Sequence, residues 1–214
     1  LSQMWDGRYY IQRAAEILSG DWLGQEVFYL APLYPYVLAG VQAVAGGAGE
    51  PALAPVVLFQ SILGAGSSLL VAVLGRRLAG RAAGLLAGGV AAGYAPFVYQ
   101  EGLVMPTGLI LFTHLLALVA VIAARDRSDL KGWPAAGLTL ALAALAHGAG
   151  LAMAGVLALW CALEGVPGSR RRSLAAAGLL LIGLAGPLLT VTARNWIVGE
   201  DLVLVTSNAG KNLY

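Results

Sequence analysis

An acidic, aromatic segment near the start of the chain contains the residue types best suited to chemistry. Asp6 lies two residues before Arg8, and Tyr9 and Tyr10 follow directly. A carboxylate at the edge of a membrane can bind a divalent cation or accept a proton from a hydroxyl or an amine. The same acid can also be a solvated loop residue or the N-cap of a helix over 8–18. Spacing alone leaves both interpretations open.

Glu101 is a second acidic candidate, because it lies in a short polar turn, 99–102, between two apolar stretches. An ionisable group at such a depth is costly and is a candidate functional residue by default. The alternative is an interfacial acid that only solvates the turn.

Three basic side chains are also candidates. His147 is the only ionisable group in its apolar stretch, where it could hydrogen-bond a phosphate or, structurally, a backbone carbonyl at a helix break. Arg194, followed by Asn195 and Trp196, could bind lipid headgroups loosely or hold one lipid phosphate through two bonds. His114 lies among apolar residues and is interpreted as a packing or interhelical hydrogen-bonding residue.

Composition restricts the class of protein. The 214 residues are 59% hydrophobic and only 11% charged, with a mean hydropathy of +0.78, whereas soluble domains carry about 25% charged residues. The chain is therefore predicted to be an integral membrane protein. Its single cysteine, Cys161, excludes an intramolecular disulfide, and a net charge of +2 with no basic stripe gives no indication of nucleic-acid binding. The sequence contains no Gly-rich nucleotide loop, zinc motif or nucleophile elbow.

The apolar stretches predict an all-α fold, a polytopic transmembrane helical bundle. A span needs roughly 20 apolar residues, and the candidates are 55–74, 82–98, 103–124 and 174–193. Residues 133–163 are predicted to form a hairpin with His147 at its tip. The shorter stretch 32–46 carries Pro32 and Pro35 and is either re-entrant or a full span. This assignment divides the chain into three parts. Residues 1–30 form an outer first loop with short juxtamembrane helices, 31–193 form the transmembrane domain, and 194–214 form a second outer loop.

Basic residues predict the orientation. Nine of the 13 Lys and Arg residues lie in three short linkers, which the positive-inside rule places in the cytoplasm: Arg76, Arg77 and Arg81; Arg125, Arg127 and Lys131; Arg170, Arg171 and Arg172. The other side of the membrane, the outer face, is then expected to carry residues 99–102, the hairpin tip at His147 and the tail from Arg194. A location in the plasma (inner) membrane, with multiple passes, is the corresponding prediction.

Several of these segments together resemble the GT-C superfamily of glycosyltransferases that use lipid-linked sugars. The likeness is to the bacterial branch related to protein O-mannosyltransferases and aminoarabinose transferases (glycosyltransferase family 39-like). The likeness rests on four elements that occur in the same order as in the family. The first is the first loop, with Asp6, Tyr9, Tyr10 and the segments 20–22 and 31–35. The others are the linker 74–81, the turn 99–103, and the tail with Arg194-Asn195, 199–200 and 208–214. The family pattern also includes a first membrane helix and C-terminal helices that this sequence does not contain, so it is identified as an N-terminal fragment.

The resemblance implies a mechanism and its residues. A polyprenyl-phosphate sugar would donate its sugar, with inversion and without a nucleotide, to an acceptor lipid, glycan or protein on the outer face. Asp6 matches the essential first-loop acid, and Glu101 is the nearest match to the second. Both are predicted ligands of a divalent cation, the one candidate cofactor. Arg8, Tyr9, Tyr10, His147 and Arg194 are the expected substrate-binding residues. The sequence departs from the family pattern at two places. The family has an acid near Pro106, where this chain has Met105-Pro106-Thr107. The family has Arg-Pro at the hairpin tip, where this chain has His147-Gly148.

A polytopic transporter or a non-catalytic membrane scaffold is the alternative function. Small residues are abundant in the helices, and Pro32 and Pro35 would then mark a broken helix at a substrate site. The predicted clustering of acids at the outer interface, rather than at the midplane, favours the glycosyltransferase.

Overall fold

The computed structural model describes residues 5–46, 53–127 and 129–208, and within these ranges it contains eight α-helices and no β-strand. The helices are α1 (Trp5–Leu18), α2 (Leu33–Val44), α3 (Leu53–Ala92), α4 (Ala95–Glu101), α5 (Thr107–Arg125), α6 (Gly132–Ala146), α7 (Ala149–Glu164) and α8 (Arg170–Gly199). This confirms the predicted all-α class. Most of the polar tail expected over 208–214 lies outside the described residues.

Three helices are long and apolar enough to cross a membrane among the residues described, namely α3, α5 and α8. Large apolar side chains such as Leu69, Leu86 and Ile182 are exposed on these helices, as expected for surfaces that face lipid. The chain is thus a multi-pass membrane protein. Helix α2 has 12 residues, about 18 Å of rise, which is shorter than a span. The choice between a re-entrant and a spanning α2, and the sidedness of every loop, stay predictions.

Helix α3 is a hairpin of two helical arms, 53–78 and 81–92. The backbone leaves the helical region at Ala79 and at Gly80, whose φ of +88° suits a residue without a side chain. Glycines close the hairpin: a Cβ on Gly84 would lie 2.6 Å from the carbonyl oxygen of Ala72, and one on Gly88 would lie 2.7 Å from the Ala72 Cβ. The three basic residues of the predicted linker, Arg76, Arg77 and Arg81, therefore flank this turn at the ends of the two arms.

Two predicted helices have different boundaries in the structure. The stretch 82–98 is interrupted at Gly93 and Tyr94, and α4 begins afresh with Pro96 in its first turn, a position that tolerates the missing N–H of proline. The predicted helix 174–193 is longer, because α8 runs from Arg170 to Gly199. Arg194 consequently lies inside a helix, whereas the sequence placed it at the start of a loop.

The chain divides into two compact units, the first comprising Leu1–Gly24 and Leu33–Leu115 and the second Gln25–Pro32 and Leu116–Tyr214. In the second unit, α6, α7 and α8 enclose a core that includes Trp133, Leu140 and Leu180. Helices α6 and α8 cross in direct backbone contact, because a Cβ on Gly137 would overlap the Leu180 carbonyl and one on Gly183 would overlap the Pro134 carbonyl. Close crossings of this kind depend on small residues.

The hairpin predicted over 133–163 is confirmed. Its two arms are α6 and α7, and the break between them is at His147 and Gly148.

Candidate active site

Asp6 lies in the first turn of α1, where a negative charge interacts favourably with the helix dipole. It is exposed, as is Arg8, whereas Tyr9 is half-buried and Tyr10 is buried. The N-cap interpretation required Asp6 to precede the helix. Asp6 instead lies inside α1, in its first turn. Burial raises the pKa of Tyr10, and the charges of Asp6 and Tyr9 raise it further. The phenol therefore stays protonated beside the Asp6 carboxylate.

A chain of buried polar contacts connects α1 to the turn that carries Glu101. The ring of Tyr10 packs edge-to-face on that of Tyr34 in α2, with centroids 5.0 Å apart. The Tyr34 hydroxyl donates to Oε1 of Gln60 in α3 over 2.7 Å. Nε2 of Gln60 in turn donates to the carbonyl oxygens of Glu101 and Leu103, each over 2.7 Å. Every donor and acceptor of the amide is used, so α1, α2, α3 and the Glu101 turn are held in one arrangement.

The Glu101 carboxyl group lies on the backbone of α3 at Gly64. A Cβ on Gly64 would overlap the carboxylate, so only glycine leaves room for it here. The Ser61 hydroxyl donates a hydrogen bond to the same carboxylate. Glu101 borders a cavity of about 220 Å³ whose polar lining also includes Ser67, Ser68, Gln100 and Thr107. The Ser67 and Ser68 hydroxyl groups donate to the carbonyl oxygens of Leu63 and Gly64 in their own helix, and most of the remaining lining is apolar. Glu101 is the one acid that lines this cavity.

Partial burial raises the pKa of Glu101, and the hydrogen bond from Ser61 offsets part of this effect. A carboxyl group with a raised pKa takes up a proton more readily near neutral pH than an ordinary glutamate does. The direction of this shift suits a proton-transfer role for Glu101, which stays a prediction beside the alternative of an interfacial acid in the turn.

Arg13, which sequence reasoning overlooked, organises the loop that follows α1. Its buried guanidinium donates from Nη1 to Glu16 over 2.8 Å and from Nη2 to the carbonyl oxygens of Asp21 and Trp22 over 3.1 and 3.4 Å. The Asp21 side chain accepts from the backbone N–H of Gly24 over 2.7 Å. The Gly-Asp-Trp step is therefore a structured turn. A basic residue four positions after Tyr9 on an otherwise apolar helical face was the available signal.

Arg194 lies in the second unit, where it helps to hold the segment 25–32. Only 8% of it is exposed, its guanidinium lies 3.9 Å from the ring centroid of Phe28, and Nη1 donates to Oδ1 of Asn195 over 2.9 Å. Asn195 Oδ1 also accepts from the N–H of Phe28, and the Ser207 N–H donates to the Phe28 carbonyl over 2.9 Å. The first loop and the tail thus meet at Phe28. Phosphate binding by Arg194 stays a prediction.

Replacing Arg194 by Lys should test this structural role. An ammonium group cannot stack as a plane on Phe28 while it bonds Asn195, so we expect a loss of stability of about 1–2 kcal/mol despite the conserved charge. The measurement is the unfolding midpoint in detergent. Arg8→Lys is the matched control, because Arg8 is exposed, and it should unfold like the wild type. Equal midpoints for both variants would mean that the Phe28 contact contributes little.

The two histidines have local partners. His147 is exposed at the hairpin tip, and its Nδ1 accepts from the N–H of Ala149 over 3.2 Å, so it caps α7. The structural alternative, a bond from His147 to a backbone carbonyl, is not the bond formed by Nδ1, which acts here as an acceptor at an exposed position. Phosphate binding by His147 stays a prediction. Nδ1 of His114 bonds the carbonyl oxygen of Ile110, 2.8 Å away in its own helix, so the interhelical bond predicted for it is not the one formed.

A divalent cation has no protein-only site in the part of the chain that the structure describes, where no three His, Cys, Asp or Glu side chains converge. Mg²⁺ is commonly held by one or two carboxylates together with substrate phosphate and water, a donor set that Asp6 or Glu101 fits. The cation stays a prediction.

Comparison with known proteins connects this architecture to one family. No curated protein and no solved structure gives a significant match. The family model described as dolichyl-phosphate-mannose-protein mannosyltransferase matches residues 30–196. This range contains Glu101, His147 and Arg194, while Asp6, Arg8, Tyr9 and Tyr10 precede it. The match covers most of the 214 residues, so the chain belongs to this family and is a multi-pass membrane glycosyltransferase of the GT-C type.

Proposed function

We propose that the protein transfers a sugar from a polyprenyl-phosphate carrier to an acceptor at the outer face of the membrane, with inversion at the anomeric carbon. The family membership supports a lipid-linked donor, and its description names mannose as the sugar to test first. The observation that carries the proposal is the Glu101 carboxyl group at a cavity, in a turn held by the same buried contacts that hold α1. A non-catalytic scaffold would need no such acid, and the family membership favours a glycosyltransferase over a transporter.

The proposed reaction forms one bond and breaks one. An acceptor hydroxyl or amine bonds the anomeric carbon, and the bond from that carbon to the phosphate oxygen breaks. Asp6 accepts the acceptor's proton, and the negative charge stays on the polyprenyl phosphate. The Asp6 side chain is accessible to an acceptor because it is exposed. An exposed cationic group such as Arg8, in the same unit as Asp6, stabilises the leaving phosphate electrostatically.

Glu101 is assigned to the reacting groups in the cavity, either as a second proton acceptor or by orienting a hydroxyl group of the sugar or acceptor. Its environment supports this role: the carboxyl group accepts a hydrogen bond from Ser61, lies against Gly64 and borders the cavity. Tyr9 and Tyr10 contribute through the position of α1, because the Tyr10 ring packs on Tyr34.

Gly64→Ala tests the role of Glu101 without removing it. The added methyl group must displace the carboxylate, the mobile end of a flexible side chain, so stability should change by less than about 1 kcal/mol. Transfer from a labelled polyprenyl-phosphate mannose by the full-length protein should fall at least about tenfold, as it should for Glu101→Gln.

Gly89→Ala is the matched control, because it adds the same methyl group in the same hairpin where nothing lies within 4 Å. It should transfer sugar at the wild-type rate. Wild-type activity in both Gly64→Ala and Glu101→Gln would remove Glu101 from the active site. Two results together would overturn the proposed function itself. The wild-type protein would transfer no sugar from polyprenyl-phosphate donors that carry mannose, another hexose or a pentose, and it would take up a solute in response to a gradient.

A further inference from the structure

A second cavity, of about 340 Å³, lies in the second unit where α5 and α7 end and α8 begins. Arg125, the last residue of α5, and Arg170, the first residue of α8, both line it. The rest of the lining is Leu163, Glu164, Val166, Pro167, Gly168, Ser169 and Ser173. Two of the basic linkers in the sequence therefore converge on one cavity, and neither arginine has a role in the proposed sugar transfer.

Both guanidinium groups are exposed, and neither forms an ion pair with another of the residues that the structure describes. Arg125 is oriented, because its guanidinium lies 5.1 Å from the ring centroid of Trp160. Cation–π contact of this kind holds the plane of the group while its N–H donors stay available. Glu164 is the one acid in the lining, so the cavity keeps a positive balance.

The wall of the cavity between α7 and α8 is held by hydrogen bonds. The hydroxyl group of Ser173 accepts from the N–H of Val166 over 2.9 Å and donates to the Val166 carbonyl over 3.2 Å. Ser169 caps α8 by accepting from the N–H of Arg172 over 3.3 Å. The loop is thus fixed on α8, so a ligand would meet an arrangement that exists before binding.

The position of the cavity along the chain points to a membrane surface. Arg125 ends one helix that is long and apolar enough to cross the membrane, and Arg170 begins another. At such a boundary the phosphate groups of the lipid bilayer lie beside the helix ends, and basic pockets between membrane helices are suited to anionic headgroups.

We propose that this cavity binds the phosphate group of an anionic membrane phospholipid, with Arg125 and Arg170 as the binding groups. A guanidinium is suited to this because its planar set of donors matches two phosphate oxygens at once. The acyl chains of the same lipid would cover the exposed apolar side chains near these helix ends, among them Leu159, Leu163 and Leu174. Such a lipid would hold the ends of α5, α7 and α8 together.

The test measures binding of phosphatidylglycerol to the purified full chain in neutral detergent, by native mass spectrometry of the retained lipid. Wild-type protein should retain one phosphatidylglycerol more tightly than phosphatidylcholine. The double variant Arg125→Gln/Arg170→Gln should bind phosphatidylglycerol at least about tenfold more weakly, because two charge-assisted contacts are lost. The control Lys131→Gln/Arg171→Gln removes the same two charges from exposed positions outside the cavity and should bind like the wild type.

Three results would overturn the proposal. Equal weakening in both double variants would show that attraction to anionic lipid is diffuse. Equal retention of phosphatidylcholine would show that the acyl chains alone bind. Inorganic phosphate that competes with phosphatidylglycerol at equal concentration would identify a free anion, and not a lipid, as the ligand. Thermal unfolding without lipid should match the wild type for the control variant, since Lys131 and Arg171 are exposed. It should fall only slightly for Arg125→Gln/Arg170→Gln, because Arg125 is exposed and loses only its contact with Trp160.

Discussion

Asp6→Asn should reduce sugar transfer by about 10²-fold or more while the protein still folds. The substitution preserves the size of the side chain and removes the charge and the basicity that the proposed reaction needs, and losing such a group typically costs this much in rate. Stability should fall by no more than about 1 kcal/mol, the value of a charge near a helix start. The measurement is turnover of a labelled polyprenyl-phosphate sugar by the full-length protein in liposomes.

Glu26→Gln is the matched control for Asp6→Asn. Glu26 is an exposed acid a few residues before α2, so its replacement changes the net charge equally without touching α1. It should turn over substrate like the wild type. If Asp6→Asn also retains near-wild-type turnover, Asp6 is an ordinary acid in the first turn of α1, and the proton must go to another group such as Glu101.

Gly137→Ala should destabilise the protein far more than Gly64→Ala or Gly89→Ala. The new Cβ would overlap the backbone carbonyl of Leu180, and a backbone cannot rotate away as a side chain can. Helices α6 and α8 must then separate, which also loosens the buried packing of Leu140 and Leu180. We expect about 3 kcal/mol of destabilisation, the upper part of the range for overpacked cores.

The control is Gly178→Ala, in α8, where nothing lies within 4 Å of the added methyl group. It should be neutral or stabilising by up to about 1 kcal/mol, since alanine favours a helix. Unfolding midpoints of the purified proteins in detergent provide the comparison. Similar midpoints for the two variants would mean that α6 and α8 do not cross in backbone contact at Gly137.

Sequence patterns predicted the parts of the fold that depend on local composition. Apolar length located α5, α6 and α7, and the polar interruption at His147 marked the hairpin tip, because helix boundaries in a membrane follow the loss of apolar residues. The end of α8 was not predicted, since Arg194 and Asn195 look like the start of a polar loop. The structure buries both residues against Phe28. Asn195 and Phe28 are 167 positions apart in the sequence, so no local pattern could predict their contact.

The candidate site shows the same division. Asp6, Tyr10 and Glu101 were recognisable as polar or aromatic groups beside apolar helices, and Glu101 does border a cavity. Gln60 and Gly64 were not recognised as parts of a site, because their roles exist only when α3 packs on the Glu101 turn. A glutamine within an apolar helix was the available signal for Gln60, since polar groups inside membranes need partners.

The unequal arms of the α3 hairpin have a consequence for how a substrate reaches Glu101. The arm 81–92 contains about 18 Å of helix, against a hydrocarbon layer of about 30 Å. With the arginine turn at one membrane surface, the chain bends at Gly93 and Tyr94 before it reaches the other. The short helix that ends in Glu101 then starts within the lipid layer. A carrier with a long isoprenoid tail can approach this depth sideways, by two-dimensional diffusion in one leaflet, without its lipid ever leaving the bilayer.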